Sequence, residues 1–211
     1  MNFTLSRRQA LLLAALTLVW GLNWPVMKAG IGGFPPLSFR TVSMWLGLPL
    51  LYVATRVLKV PLRIERRDWR ELGWLTVTNM VVWYAVAIVA LQALSSGRAA
   101  ILGYTMPIFS AVIGMALFGQ RLSTRQWSGV AAAAVGVALL LWHELGTMAG
   151  KPWGAAGMLL AAATWALGTQ QMRRTRITAP TLAMVFWMTL ATTLVMSLLA
   201  VAFHHDRWVA P

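Results

Sequence analysis

Trp20, Trp24 and Lys28 recur every fourth residue, so on a helix they line one side, with Thr17 and Asn23 flanking them. Thr76, Asn79 and Trp83 form a second such face with Tyr84 and Gln92 near it, and Tyr104 with Pro107 pairs an aromatic ring with a helix breaker. Trp165, Thr169 and Arg173 repeat the spacing of the first group. These side chains bind rather than react: rings offer flat apolar faces and single donors, amides offer a donor and an acceptor, and Lys and Arg offer charge. The candidate substrate-binding set is Trp20, Asn23, Trp24, Lys28, Asn79, Trp83, Tyr84, Tyr104, Trp165 and Arg173. Catalysis would need a carboxylate, thiol or histidine pair among the same elements. The five acidic residues, Glu65, Asp68, Glu71, Glu144 and Asp206, lie outside them, and there is no cysteine. His143, the one histidine near an apolar run, sits at its end beside Glu144. No enzyme activity, cofactor or metal is expected, and disulfides and thiol-ligated metals are ruled out.

The elements carrying these residues are set by hydropathy. Hydrophobic residues make up 59% of the 211, and from 72 to 120 the only charge is Arg98. A hydrocarbon core about 30 Å thick needs roughly 20 apolar residues per helix, so that stretch holds two spans, with Leu94-Ser95-Ser96-Gly97-Arg98 as the turn. Breaking the rest at charges and Gly/Pro clusters predicts spans at 9–31, 36–58, 72–92, 97–119, 126–143, 153–172 and 180–203. Lipid offers backbone groups no partner, so all should be helices, and the fold class is all-α, a polytopic membrane helix bundle in a lipid bilayer. The short alternating segments of a membrane β-barrel are absent from the sequence.

A net charge of +13 raises nucleic acid as a partner. Placing the N-terminus in the cytoplasm puts 13 of the 18 basic residues on one side, from Arg7 and Arg8 through the Arg56–Arg70 cluster to Arg173, Arg174 and Arg176. Lys28, Arg40, Arg98, Lys151 and Arg207 fall opposite. The positive-inside rule accounts for the excess, and no nucleic acid is expected. Arg7-Arg8 before an apolar run resembles a twin-arginine export signal, but no small-residue cleavage site follows and six more spans do. The arginines read instead as anchors of an N-in first helix in the cell's inner membrane.

An offset of 145 residues places Trp20 on Trp165, Lys28 on Arg173, Pro35 on Pro180 and Leu37 on Leu182. That offset covers five spans, an odd number, so a second copy would be inverted, the plan of many secondary transporters. The expected domains are a first repeat of five helices, 1–145, and a partial second repeat of two, 146–211. A complete second copy would run well beyond Pro211, so a truncated product is expected, with a short form completed by a homodimer partner or by one supplying the missing helices as the alternative.

Leu18-Val19-Trp20-Gly21-Leu22-Asn23-Trp24-Pro25 with Lys28, Pro35-Pro36-Leu37-Ser38-Phe39-Arg40, and the stretch from Ala90 through Met106-Pro107-Ile108 to Leu117-Phe118-Gly119-Gln120-Arg121-Leu122-Ser123 are similar to motifs of the EamA family in the drug/metabolite transporter superfamily. The resemblance implies ten helices in two inverted repeats and a permease for small metabolites or drugs, often an exporter. Gln120 stands where that family commonly has glutamate, which removes a salt bridge there.

Several residues have plainer explanations. Trp69, Trp127, Trp142, Trp153 and Trp208 near span ends suit interfacial anchors, and Lys28 and Arg98 can snorkel to the headgroups. Gly129, Ala133 and Gly136 permit close helix contact. Thr189, Thr192 and Thr193 can bond their own backbone. With no acidic residue inside a span, coupling through a buried carboxylate is disfavoured. Pro25 frees the Gly21 carbonyl, so a kink or local break is expected in the first helix. The rival to a transporter is a noncatalytic membrane subunit, whose polar and aromatic faces need not converge on a cavity.

Overall fold

The computed structural model describes residues 6–145 and 152–204. Among them there is no strand, and the α-helices are α1 (Arg7–Gly33), α2 (Pro36–Val57), α3 (Trp69–Thr76), α4 (Val82–Ala90), α5 (Ser96–Gly103), α6 (Met106–Phe118), α7 (Thr124–Leu145), α8 (Pro152–Met172) and α9 (Thr181–His204). A 3-10 turn, Arg66–Asp68, and a π-helical turn, Val77–Val81, join α3 and α4 into one rod, 66–90; α5 and α6 make a second, 96–118. These two rods with α1, α2 and α9 are the five segments long and apolar enough to cross a membrane among the described residues. α7 and α8, at 22 and 21 residues, have the length at about 1.5 Å per residue. Each of the seven expected spans thus falls on a helical segment.

The helix ends follow local chemistry. Ser6 caps α1 with its hydroxyl on the Gln9 amide (3.3 Å) while the Gln9 side chain accepts from the Ser6 amide (2.9 Å). Pro36 opens α2, where a missing N–H costs nothing. Ser95 caps α5 through the Arg98 amide, so Ser96-Gly97-Arg98 form a first helical turn and the chain reverses at 91–95, slightly earlier than the expected loop. The second rod breaks at Tyr104–Thr105, because Pro107 cannot donate to the Gly103 carbonyl. α1, by contrast, runs unbroken through Pro25, and the expected local break is absent. One lost hydrogen bond does not unravel a ladder that lipid otherwise enforces. His204, just beyond the expected end of the last span, lies in the final turn of α9, 3.5 Å from Ser38, so His143 is not the sole histidine near a span. The His143 and Glu144 side chains and Trp208 lie outside the described residues.

α8 is the central helix. Met158, Ala161 and Ala162 are fully buried, and its glycines let neighbours approach closely. A Cβ at Gly154 would sit 2.7 Å from the Ala93 Cβ, and one at Gly168 would sit 2.5 Å from the Asn79 side-chain nitrogen. Gly168→Ala is therefore expected to cost about 1–3 kcal/mol by overpacking, read as a lower unfolding midpoint of the detergent-solubilised chain. α2 and α9 pack antiparallel through Trp45 and Ser197 (3.0 Å) at mid-length and Tyr52 and Phe186 (ring centroids 5.9 Å) toward the far end. Thr192 and Thr193 bond carbonyls one turn back in α9. α1 is peripheral, and Trp24 is its only buried residue.

The first rod gives a common ruler for direction. Lys28, near the end of α1, donates to the carbonyls of Leu91 (2.8 Å) and Gln92 (3.2 Å) just past the end of α4. Beyond the end of α8, the Thr175 hydroxyl (2.5 Å) and Arg176 amide (3.3 Å) donate to Glu71 at the start of α3. α1 and α8 therefore run in opposite directions.

Candidate functional site

Between α1, α2, α4, the α5–α6 break and α8 lies a cavity of about 280 Å³. α1 contributes Trp20, Asn23 and Trp24; α4 contributes Trp83 and Tyr84; the break contributes Tyr104, and α8 contributes Trp165. Trp83 is the hinge of the aromatic wall, meeting Trp24 edge-to-face at 6.3 Å and Trp165 at 5.4 Å. Gly103 makes room for it, since a Cβ there would lie 3.0 Å from the Trp24 ring. Trp20 is 58% exposed and Trp24 6%, so the cavity opens along the α1 flank.

Three of the ten expected residues lie elsewhere. Lys28 is engaged at the end of α4, one helical turn past the cavity. Asn79 is buried in the π-helical turn against Gly168, donating to the Leu75 carbonyl (3.3 Å). Arg173 borders a second cavity of about 510 Å³ between α6, α7 and α8, whose polar lining includes Ser110, Gln120, Gln126 and Gln170. Met106 and Trp165 border both cavities and so form the partition between them.

Beside the second cavity is a hydrogen-bonded knot. Gln170, 2% exposed, donates to the Ser110 carbonyl (2.7 Å) and hydroxyl (2.9 Å), and its side-chain oxygen accepts from Arg174 (2.7 Å). Arg174 also stacks over Phe118, and Gln120 meets Gln170 at 3.4 Å. Gln120 thus joins an amide network. Thr78 donates to Gln171 (3.0 Å), tying α8 to the first rod at the same end.

Sequence reasoning left out Gln170, Arg174 and, most notably, Arg40. The signal for Arg40 was an arginine early in an apolar helix; its guanidinium reaches the cavity and lies 3.9 Å from the Tyr84 ring centroid. Trp69, Trp127, Trp142 and Trp153 are exposed as anchors should be, Trp142 most of all, while Trp69 also packs edge-to-face on Trp187 at 5.2 Å.

Membrane-length helices packed around a small aromatic cavity define a polytopic α-helical membrane protein. Residues 7–142 match the EamA-like transporter family, and the chain belongs to it. Similar proteins include the "Uncharacterized transporter YvbV" of Bacillus subtilis (strain 168), 29% identical over 80% of this chain and 54% of that protein. Another is the "Probable amino-acid metabolite efflux pump" of Escherichia coli (strain K12), 30% identical over 78% of this chain and 53% of its own length. The chain spans about half the length of the curated relatives it matches. A solved structure titled "Crystal structure of protein" shares the fold, with a TM-score of 0.68 at 22% identity over 92% of this chain and 66% of that one.

Proposed function

We propose that this chain acts as a secondary transporter exporting small metabolites across the inner membrane, by alternating access around the aromatic cavity. The observation that carries this reading is the Trp24–Trp83–Trp165 wall, which bridges two oppositely directed helices and encloses a solute-sized space. A volume near the lower end of ligand sites, roughly 300–1,000 Å³, suits a compact metabolite better than a large drug. Met106 and Trp165, with one cavity on each side, are suited to act as the barrier that alternates.

The opposite directions of α1 and α8 support two inverted repeats, 1–145 and 146–211, and the placing of 13 of 18 basic residues on one side supports a cytoplasmic N-terminus. Glu65, Asp68 and Glu71 sit near one end of the bundle, which favours exchange or facilitated movement over coupling through a carboxylate at mid-span. The exposed apolar flank of α1, Leu11 to Leu22, suits contact with acyl chains or with apolar helices of a second copy or partner.

The test is comparative metabolite profiling of the medium from cells expressing the chain and from cells carrying an empty vector. Enrichment of one or a few small metabolites by several-fold is expected. Identical profiles at confirmed membrane abundance would contradict the proposal.

A further inference from the structure

We propose that the aromatic cavity takes a small carboxylate with an apolar or aromatic body, and that Arg40 holds its carboxylate group. The inference rests on the transporter reading above and names the class of solute for that site.

Arg40 is the only charged side chain lining the cavity. Its Nε is buried and has no hydrogen-bond partner among the described residues, and its recorded contact is with the face of Tyr84. Stacking on a ring occupies the face of the guanidinium and leaves its terminal nitrogens to meet a ligand. No Asp or Glu lines the same wall, so a cationic solute would meet the Arg40 charge without compensation. A carboxylate matches the planar guanidinium fork.

The rest of the wall describes the other end of the ligand. Trp20, Trp24, Trp83 and Trp165 with Met27 and Ala87 offer an apolar surface that suits a ring or a branched chain. The amino group of an amino acid would be accommodated over an indole face. Asn23, whose amide already contacts the Met27 sulfur (3.4 Å), adds one polar group on the α1 side.

The experiment is isothermal titration of the full chain in detergent with 3-phenylpropionate and with its neutral isostere 3-phenylpropionamide. The acid is expected to bind at least tenfold more tightly than the amide, a preference that Arg40→Gln removes and Arg40→Lys partly keeps. The acid-to-amide comparison on the unsubstituted chain stands even where a variant fails to fold. Equal binding of acid and amide, in the cavity and unchanged by Arg40→Gln, would overturn the assignment of Arg40 while leaving the transporter reading intact. Binding of neither probe would overturn it as well, with the export profile judging transport separately. An anionic lipid headgroup held by Arg40 would instead appear as stabilisation by phosphatidylglycerol and not by phenylpropionate, and that result also counts against the proposal.

Discussion

Trp83→Ala is expected to lower solute export at least tenfold at equal membrane abundance, the largest functional loss of any single aromatic substitution in the cavity. Trp83 is the one ring that touches both Trp24 on α1 and Trp165 on α8. Each edge-to-face contact contributes about 0.5–1.5 kcal/mol beyond area burial, so one truncation loosens two helix contacts and a wall of the site together. Trp83 is partly buried, and truncating a large aromatic costs up to about 3–5 kcal/mol of stability, so Trp83→Phe is the control. Phenylalanine keeps one edge-to-face contact, and export by that variant should stay within a few-fold of the unsubstituted chain. Export rates normalised to the protein band in isolated membranes decide it; full activity in Trp83→Ala would remove this ring from the pathway.

Gln170→Leu is expected to open the end of the bundle that holds Gln120 and Arg174. Leucine keeps the volume but removes the amide's bonds to the Ser110 carbonyl and hydroxyl and its acceptance from Arg174, which keeps only the Gln170 main-chain carbonyl (2.7 Å) and the Phe118 ring. Each hydrogen bond lost costs about 0.5–1.5 kcal/mol, three are lost together, and each 1.4 kcal/mol is tenfold in an equilibrium constant. The closed arrangement of α6 and α8 should therefore lose roughly one to two orders of magnitude in its favour. The chain has no cysteine, so a single cysteine at Ala133, which lines the second cavity, reports this without background. Its reaction with a membrane-impermeant thiol reagent in inside-out vesicles should speed up several-fold in the Gln170→Leu background. An unchanged rate would mean that the knot does not control access.

Much of the bundle was legible because lipid leaves few options, and an apolar run of sufficient length must be helical. Helical spacing also identified which residues share a face, and Trp20, Trp24, Trp83 and Trp165 do meet in space. Spacing does not say how far along a face the neighbouring helix extends. Lys28 follows Trp24 at the same interval, yet one turn further on α1 meets the exposed carbonyls at the end of α4 rather than the cavity. Arg173 follows Trp165 in the same way and passes to the other side of the Trp165 partition.

Other features had no local mark. The π-helical turn Val77–Val81 contains neither Gly nor Pro; it arises where Thr76 and Thr78 bond carbonyls of the preceding turn and Asn79 packs on Gly168, a contact between elements nearly 90 residues apart in sequence. Pro25 carried a strong mark that tertiary structure did not use, because the helix continues through it. Arg40 lay in plain sight in the sequence, but an arginine near a span end reads as a headgroup contact until the fold turns it toward Tyr84.

The central claim, a hydrated solute site inside the bundle rather than a packed interior, is tested most directly by single cysteines placed at Ala87 and Tyr104, which line the aromatic cavity, and at Leu50 and Leu139, which face outward. A hydrophilic, membrane-impermeant thiol reagent should modify positions 87 and 104 and spare 50 and 139, which hydrocarbon covers. If 87 and 104 prove as inert as 50 and 139, the rings are packing and the chain has no passage at this place.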